Sequence, residues 1–193
     1  MATVGKSALL IVDAQRGIRE EEHWGGNRNN PQAEENIKTL LAYWREKSLP
    51  VIIVQHCSTS KTSPFFPEKK GNMLMEFIDI RKDENLLQKS TASAFIKTDL
   101  EQYLRHLHIS DLVITGFVTN NSIEATARNA GDLGMTTVVV SDAAACFNKI
   151  AINGVKYDSE IVHQLSLANL KDEYASIRTT KEIIIDCNLP SQR

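Results

Sequence analysis

Four short runs of consecutive apolar residues stand out along the chain: 7–12 (SALLIV), 50–54 (PVIIV), 111–116 (DLVITG) and 136–141 (TTVVVS). Unbroken apolar runs of this length suit strands buried on both faces of a parallel sheet, whereas a half-exposed strand would alternate apolar and polar positions. Two weaker runs, 85–89 (NLLQK) and 174–178 (YASIR), bring the expected number of strands to six. Helical spacing fills the intervals. Residues 32–48 place Ile37, Leu40, Leu41 and Trp44 on one face, and 98–107 do the same with Leu100, Tyr103, Leu104 and Leu107. Segments 122–133 and 159–170 are expected to be helical as well. Strands alternating with helices predict right-handed crossovers and a three-layer α/β/α sandwich around a six-stranded parallel sheet.

In such a sheet, ligands bind beyond the carboxyl ends of the strands. Four polar loci fall at that edge: Asp13 after the first strand, His56 after the second, Lys89 at the end of the third, and 116–122 (GFVTNNS) after the fourth. Segments 16–31 and 56–76 follow the first two strands and are long for simple connections, which is typical of lids and binding loops.

Three of these loci have a plainer explanation. Asp13 ends a strongly apolar strand, where an unpaired carboxylate is expensive to bury; it could also simply open the turn DAQRG. Lys89, like most lysines, could be a solvated surface charge unless a carboxylate shares its edge. Ser122 lies where a strand runs into a helix, beside backbone N–H groups that favour an anion. It could be a nucleophile, a hydrogen-bond donor or a helix cap.

Composition narrows the field. The 193 residues suit one domain spanning 1–193, large enough to need no metal or disulfide staple. With 22 basic and 24 acidic side chains the net charge is −2, which argues against nucleic acid as a partner. No apolar run nears the roughly 20 residues of a membrane span, and the N-terminus lacks the pattern of a secretory signal. Three widely spaced cysteines, Cys57, Cys146 and Cys187, argue for a reducing compartment, and the protein is expected to be cytoplasmic. Adjacent His56 and Cys57, or His106 and His108, do not have metal-ligand spacing, so no metal is expected. Glycine-rich nucleotide loops and a G-x-S-x-G elbow are both missing, and no cofactor is indicated.

The blocks LLIVDAQ, QKSTASAF, GFVTNNSIEATA and VVVSDA, in this order and spacing over residues 7–179, resemble the isochorismatase-like family, often called cysteine hydrolases. The resemblance implies the same α/β/α sandwich, with Asp13 and Lys89 as catalytic residues and a cis peptide between Phe117 and Val118. It also implies substrate contacts at Gln15, His56, Phe95, Phe117, Val118 and Thr119, a small-molecule substrate, and a homodimer or homotetramer. The family's usual nucleophile is a cysteine, and the matching position here is Ser122. An alcohol holds its proton roughly five units more tightly than a thiol, about 6 to 7 kcal/mol at 1.36 kcal/mol per unit. Helix-end stabilisation of about 0.3–2 kcal/mol does not close that gap.

Vinyl-ether cleavage, as in the isochorismatases of the family, needs an acid and a balancing cation but no thiol. A dicarboxylate would call for several cations, and Arg16, Arg19, Lys61, Lys89 and Arg128 are the candidates. The nicotinamidase branch resembles this fold but holds a metal after the second strand, where VQHCSTS offers His56 alone. The expectation is therefore a cofactor-independent hydrolase acting on a small amide or enol ether; the alternative is a catalytically impaired member that binds a small metabolite.

Overall fold

The computed structural model describes residues 7–188, with side chains through Ile185. The N-terminal residues 1–6, the C-terminal residues 189–193 and the side chain of Cys187 lie outside the described residues. Six parallel strands form one sheet: β1 (Ala8–Val12), β2 (Val51–His56), β3 (Asn85–Lys89), β4 (Asp111–Phe117), β5 (Thr136–Ala145) and β8 (Ser176–Arg178), in the order β3-β2-β1-β4-β5-β8. A small antiparallel hairpin, β6 (Lys149–Ile150) and β7 (Lys156–Tyr157), is inserted after β5. The helices are α1 (Glu21–Trp24), α2 (Ala33–Glu46), α3 (Leu100–His106), α4 (Glu124–Asp132), α5 (Ser159–Leu170) and α6 (Thr180–Asn188).

Successive strand residues point to opposite faces, so the central strand feeds two cores. Leu9 and Ile11 of β1 join the core that contains Ile37, Leu40 and Trp44 of α2 and Ile183 of α6. Ala8, Leu10 and Val12 join the other, with Leu100 and Leu104 of α3, Ala127 of α4 and Leu167 of α5. The Trp44 indole N–H donates to the Ser7 carbonyl (3.0 Å), pinning α2 against the start of β1.

The expected strands are all present. β5 extends past 141 to Ala145, and β8 is shorter than 174–178. The helix expected over 122–133 begins only at Glu124, because 119–123 wind as a wider π-type turn. The hairpin and the short turns within 16–31 carry too few residues for a periodic signal, and α6 runs Ile183, Ile184 and Ile185 together instead of at helical spacing. None of the described helices is long and apolar enough to cross a membrane.

Connectivity decides where a ligand can sit. The chain leaves β1 toward β2 and β3 on one side, then returns to lay β4, β5 and β8 on the other. The order reverses between β1 and β4, and such a switch point opens a crevice at the strand ends.

Candidate active site

Asp13 is the first residue beyond β1, held by its backbone N–H donating to the Val54 carbonyl (2.8 Å). Its φ of +54° lies in the left-handed region, which Asp and Asn tolerate better than other side chains with a Cβ. Across the crevice, Gly116 of β4 has φ +122°, and a Cβ there would overlap the carbonyl oxygen of Val12. Only glycine lets the ends of β1 and β4 approach this closely. The chain then passes through a cis peptide between Phe117 and Val118 into the turn that carries Ser122.

Lys89 closes β3 and reaches past β2. Its Nζ donates to Asp13 Oδ2 at 2.8 Å, to the Thr91 carbonyl at 3.1 Å and to Ser122 Oγ at 3.2 Å. Those three bonds use its three hydrogens. His56 Nδ1 lies 3.2 Å from the same nitrogen. The side chains of Lys89 and Asp13 are 0% and 3% exposed, so neither charge is hydrated by bulk water. Burial, and then the Lys89 charge, hold the His56 imidazole below its usual range, although Asp13 opposes this; the ring is neutral at pH 7.

One oxygen of this cluster is left over. Asp13 Oδ1 is buried and has no hydrogen-bond partner among the described residues. Buried carboxylate oxygens are seldom left so, because an unmade bond to a charged group is costly. Asp13 lines a small pocket of about 90 Å³ together with Trp24, His56, Ser63, Phe65, Val118, Asn121 and Ser122. The volume is well below the roughly 300–1,000 Å³ of drug-sized ligand sites. A larger surface hollow of about 510 Å³ lies beside Arg19, Arg28, Glu34 and Glu76, but its charges are already matched by ion pairs.

The expected residues divide into two groups. Asp13, Lys89, Ser122, His56 and Val118 come together. Gln15 turns away and clips the fold: its amide donates to the His56 and Asn72 carbonyls (3.0 and 2.8 Å) and accepts from the His56 N–H (2.8 Å). Phe95 packs in the core beneath α3 and α4. Phe117 is buried in the opposite core, with the Arg28 guanidinium 5.6 Å from its ring centre. Thr119 is fully buried, its Oγ1 2.9 Å from His163 Nδ1. None of these four lines the pocket. Ser122 is no helix cap either, since its hydroxyl accepts from Lys89.

Of the cations expected near the edge, Lys89 is at the site, Lys61 is exposed and outside the pocket lining, and the three arginines are engaged elsewhere. Arg16 and Arg19 face Glu76 at 3.4 and 2.9 Å, and Arg128 pairs with Glu124 at 2.8 Å while lying over the Tyr174 ring. Among the described residues no Arg or Lys lines the pocket itself; Lys89 stands behind it, neutralised by Asp13.

The long segments supply what the sequence reading missed. Trp24, fixed by its indole N–H to the Gly17 carbonyl (2.8 Å), packs on Phe65 with ring centroids 5.0 Å apart, and Phe65 lies 5.9 Å from the His56 ring. Ser63 comes from the second segment and Asn121 from the turn before α4. Cys57 and Cys146 are free thiols outside the pocket, and burial pushes Cys146 up to about 12. Among the described residues no three His, Cys, Asp or Glu side chains are grouped as metal ligands.

The Isochorismatase domain family matches residues 7–182. The chain is 41% identical over 181 residues to the uncharacterized isochorismatase family protein YrdC of Bacillus subtilis, covering 94% of this chain and 96% of that protein. It is 25% identical to Nicotinamidase 3 of Arabidopsis thaliana, over 94% and 85% of the two chains. A crystal structure of an isochorismatase-family protein from Chromobacterium violaceum superposes with a TM-score of 0.90 at 36% identity, over 95% of this chain and 94% of that one. With the family matched over nearly its whole length and the six-stranded sheet reproduced, the chain belongs to the isochorismatase family of hydrolases.

Proposed function

We propose that this protein hydrolyses a small amide or enol ether carrying at most one negative charge, by acid–base chemistry at Asp13. The observation that carries the reading is the unpartnered Asp13 Oδ1 at the base of the pocket, with the other oxygen held by Lys89. The salt bridge fixes the carboxyl group in one orientation, so the free oxygen is the one that gives or takes a proton at the substrate. Val118, Asn121 and Ser122 line the pocket from the turn that opens α4, which sets the partial positive charge of a helix start beside the reacting atoms. Trp24 and Phe65 close the apolar side and limit the access of water.

Ser122 acts here as a polar wall. Its hydroxyl accepts from an ammonium group, which cannot take its proton, and this favours direct attack of water over a seryl intermediate. The cancelled Asp13–Lys89 charges, with no arginine among the described lining residues, disfavour dicarboxylates.

The test is turnover of a panel of small amides and vinyl ethers by wild type, Asp13→Asn and Ser122→Ala. Expected are turnover by wild type, its loss in Asp13→Asn, and retention within about tenfold in Ser122→Ala, as befits a group outside bond making. Wild-type rates no higher than those of Asp13→Asn would overturn the reading. Saturable binding of panel compounds without turnover would instead support a binding protein that kept the pocket, a reading favoured by the missing thiol.

A further inference from the structure

The connection between β2 and β3 spans 57–84, and its only helical element is the short turn Lys70–Asn72. A stretch of this kind has neither a ladder nor a long helix to hold its shape, so the side-chain bonds it makes decide where its residues stand. It nevertheless delivers Phe65 to the pocket, buried, with its ring centre 5.0 Å from that of Trp24 and 5.9 Å from that of His56. That aromatic wall needs an anchor.

One buried side chain bridges the loop and the sheet. Asn72 donates from Nδ2 to the Phe65 carbonyl (2.8 Å) and to the His56 carbonyl (2.9 Å), so a single planar amide sets the distance between the wall and the last residue of β2. Its direction is fixed by its neighbours. Gln55 Nε2 donates to Asn72 Oδ1 (3.1 Å) and to the Asn72 main-chain carbonyl (2.9 Å), and Gln15 Nε2 donates to that same carbonyl (2.8 Å). Turned over, the amide would aim its oxygen at two carbonyl oxygens and its NH2 at that of Gln55, with no hydrogen between the first pair and no acceptor in the second. A Cβ on Gly71 would come within 2.6 Å of the Pro64 carbonyl oxygen, so the turn also lies flat against the residue before Phe65.

Neither carbonyl depends on Asn72 for satisfaction. The Phe65 carbonyl also accepts from the Ser58 N–H (3.0 Å), and the His56 carbonyl also accepts from Gln15 Nε2 (3.0 Å). Removing the Asn72 amide therefore leaves each with one partner and spares the fold the cost of an unmet buried acceptor. What is lost is the link between them. Among the described residues no other side chain bonds to both carbonyls, and Asn72 lies outside the pocket lining itself.

We infer that Asn72 is a positioning residue: acting through Phe65, it holds the aromatic wall against His56 and so sets how tightly the pocket closes. This role rests on the pocket being the site of the proposed hydrolysis, but the position of the wall can be read without any substrate.

Labelling the full chain with 5-fluorotryptophan gives fluorine resonances for its 2 tryptophans, Trp24 and Trp44, assigned by the signal that Trp24→Phe removes. Trp44, wholly buried and hydrogen-bonded to Ser7, is the internal reference. The Trp24 resonance is expected to move or broaden in Asn72→Ala and in the isosteric Asn72→Asp, as it does when Phe65→Leu takes the neighbouring ring away, while Trp44 stays in place. Gln88→Ala removes an exposed amide that bonds to Gln55 (3.0 Å) but not to the wall, and is expected to leave both resonances unmoved. Circular dichroism checks that each variant is folded at the temperature of measurement. A Trp24 resonance unmoved in both Asn72 variants overturns the inference, and so does an equal shift in Gln88→Ala. On a panel amide or vinyl ether that the wild type turns over, kcat/KM is expected to fall in Asn72→Ala by about tenfold to about a hundredfold, as for reacting groups misplaced by up to about 1 Å. The double variant Asn72→Ala, Phe65→Leu should then fall no further than Phe65→Leu alone, because the amide acts through that ring; losses that simply add would refute the role. If the wild type turns over no panel compound, the hydrolase reading fails by itself, and the fluorine resonances still decide whether Asn72 places the wall.

Discussion

Replacing Lys89 with methionine removes an ammonium group that is fully buried and 2.8 Å from Asp13, while keeping most of the side-chain volume. The Asp13 carboxylate would then sit in a closed crevice without its cation, and Oδ1 has no donor already. Breaking one side of a buried pair costs about 3–5 kcal/mol, mostly because the surviving charge is uncompensated. For a chain of this length each kcal/mol moves the melting temperature by about 2–4 °C, so Lys89→Met is expected to melt about 6–20 °C lower. Asp13→Asn strands the opposite charge and should cost a similar amount; asparagine is the substitution to choose because it tolerates the positive φ at this position. The double variant removes both charges and is expected to lose no more stability than either single variant. Urea unfolding followed by fluorescence, with Trp44 wholly buried as the reporter, measures all four corners of the cycle. If the two single costs simply add, or if Lys89→Met costs less than about 1 kcal/mol, the pair is not the buried, coupled unit described here.

Two further outcomes follow from the same packing. Burial depresses His163 below its ordinary value near 6.5, so the unfolded chain takes up its proton first; the stability from keeping the ring neutral is full above about pH 6.5 and is lost as pH falls through that value toward the folded one. Melting temperatures between about pH 8 and about pH 5 should therefore fall less steeply in His163→Gln than in wild type, with part of the slope left to His56, which is depressed likewise; equal slopes would refute it. Gly116→Ala should cost more than Gly134→Ala in urea unfolding: both glycines have positive φ, worth about 1–2 kcal/mol to any other residue, but only Gly116 would also drive a Cβ into Val12, whereas nothing lies within 4 Å at Gly134. Equal losses would mean that the β1–β4 ends are not in close contact.

The layers of the fold were legible because burial on both faces demands unbroken apolar runs, and SALLIV, PVIIV and TTVVVS are short, rich in β-branched residues and separated by stretches of helical spacing. Asp13 was legible in part for the same reason: a carboxylate directly after such a run is costly to bury without a partner, although opening the turn DAQRG would also place it there. Lys89 was less so, since NLLQK sits on an edge strand with exposed Leu86, and nothing local tells its side chain from a solvated lysine. Asn121 was legible only as part of the locus 116–122, and Trp24, Ser63 and Phe65 only as members of the long segments 16–31 and 56–76. None of these stretches has a periodicity that singles out one residue, and their meeting depends on how 16–31 and 56–76 fold back over the strand ends toward the turn 119–123. Gln15 and Thr119 also lie in the motif blocks, where nothing local tells that their polar groups are spent on the backbone around His56 and on His163.

Local pattern thus determined what repeats along the chain: the alternation of strand and helix, the parallel sheet, and the edge at which polar residues gather. Tertiary structure decided direction and distance: that Lys89 reaches 2.8 Å from a carboxylate 76 residues away, that one oxygen of that carboxylate stays unpartnered, and that no described arginine turns into the pocket. Apolar periodicity reports only whether a position is buried, whereas the pairing of charges depends on side chains brought together by the switch in strand order between β1 and β4.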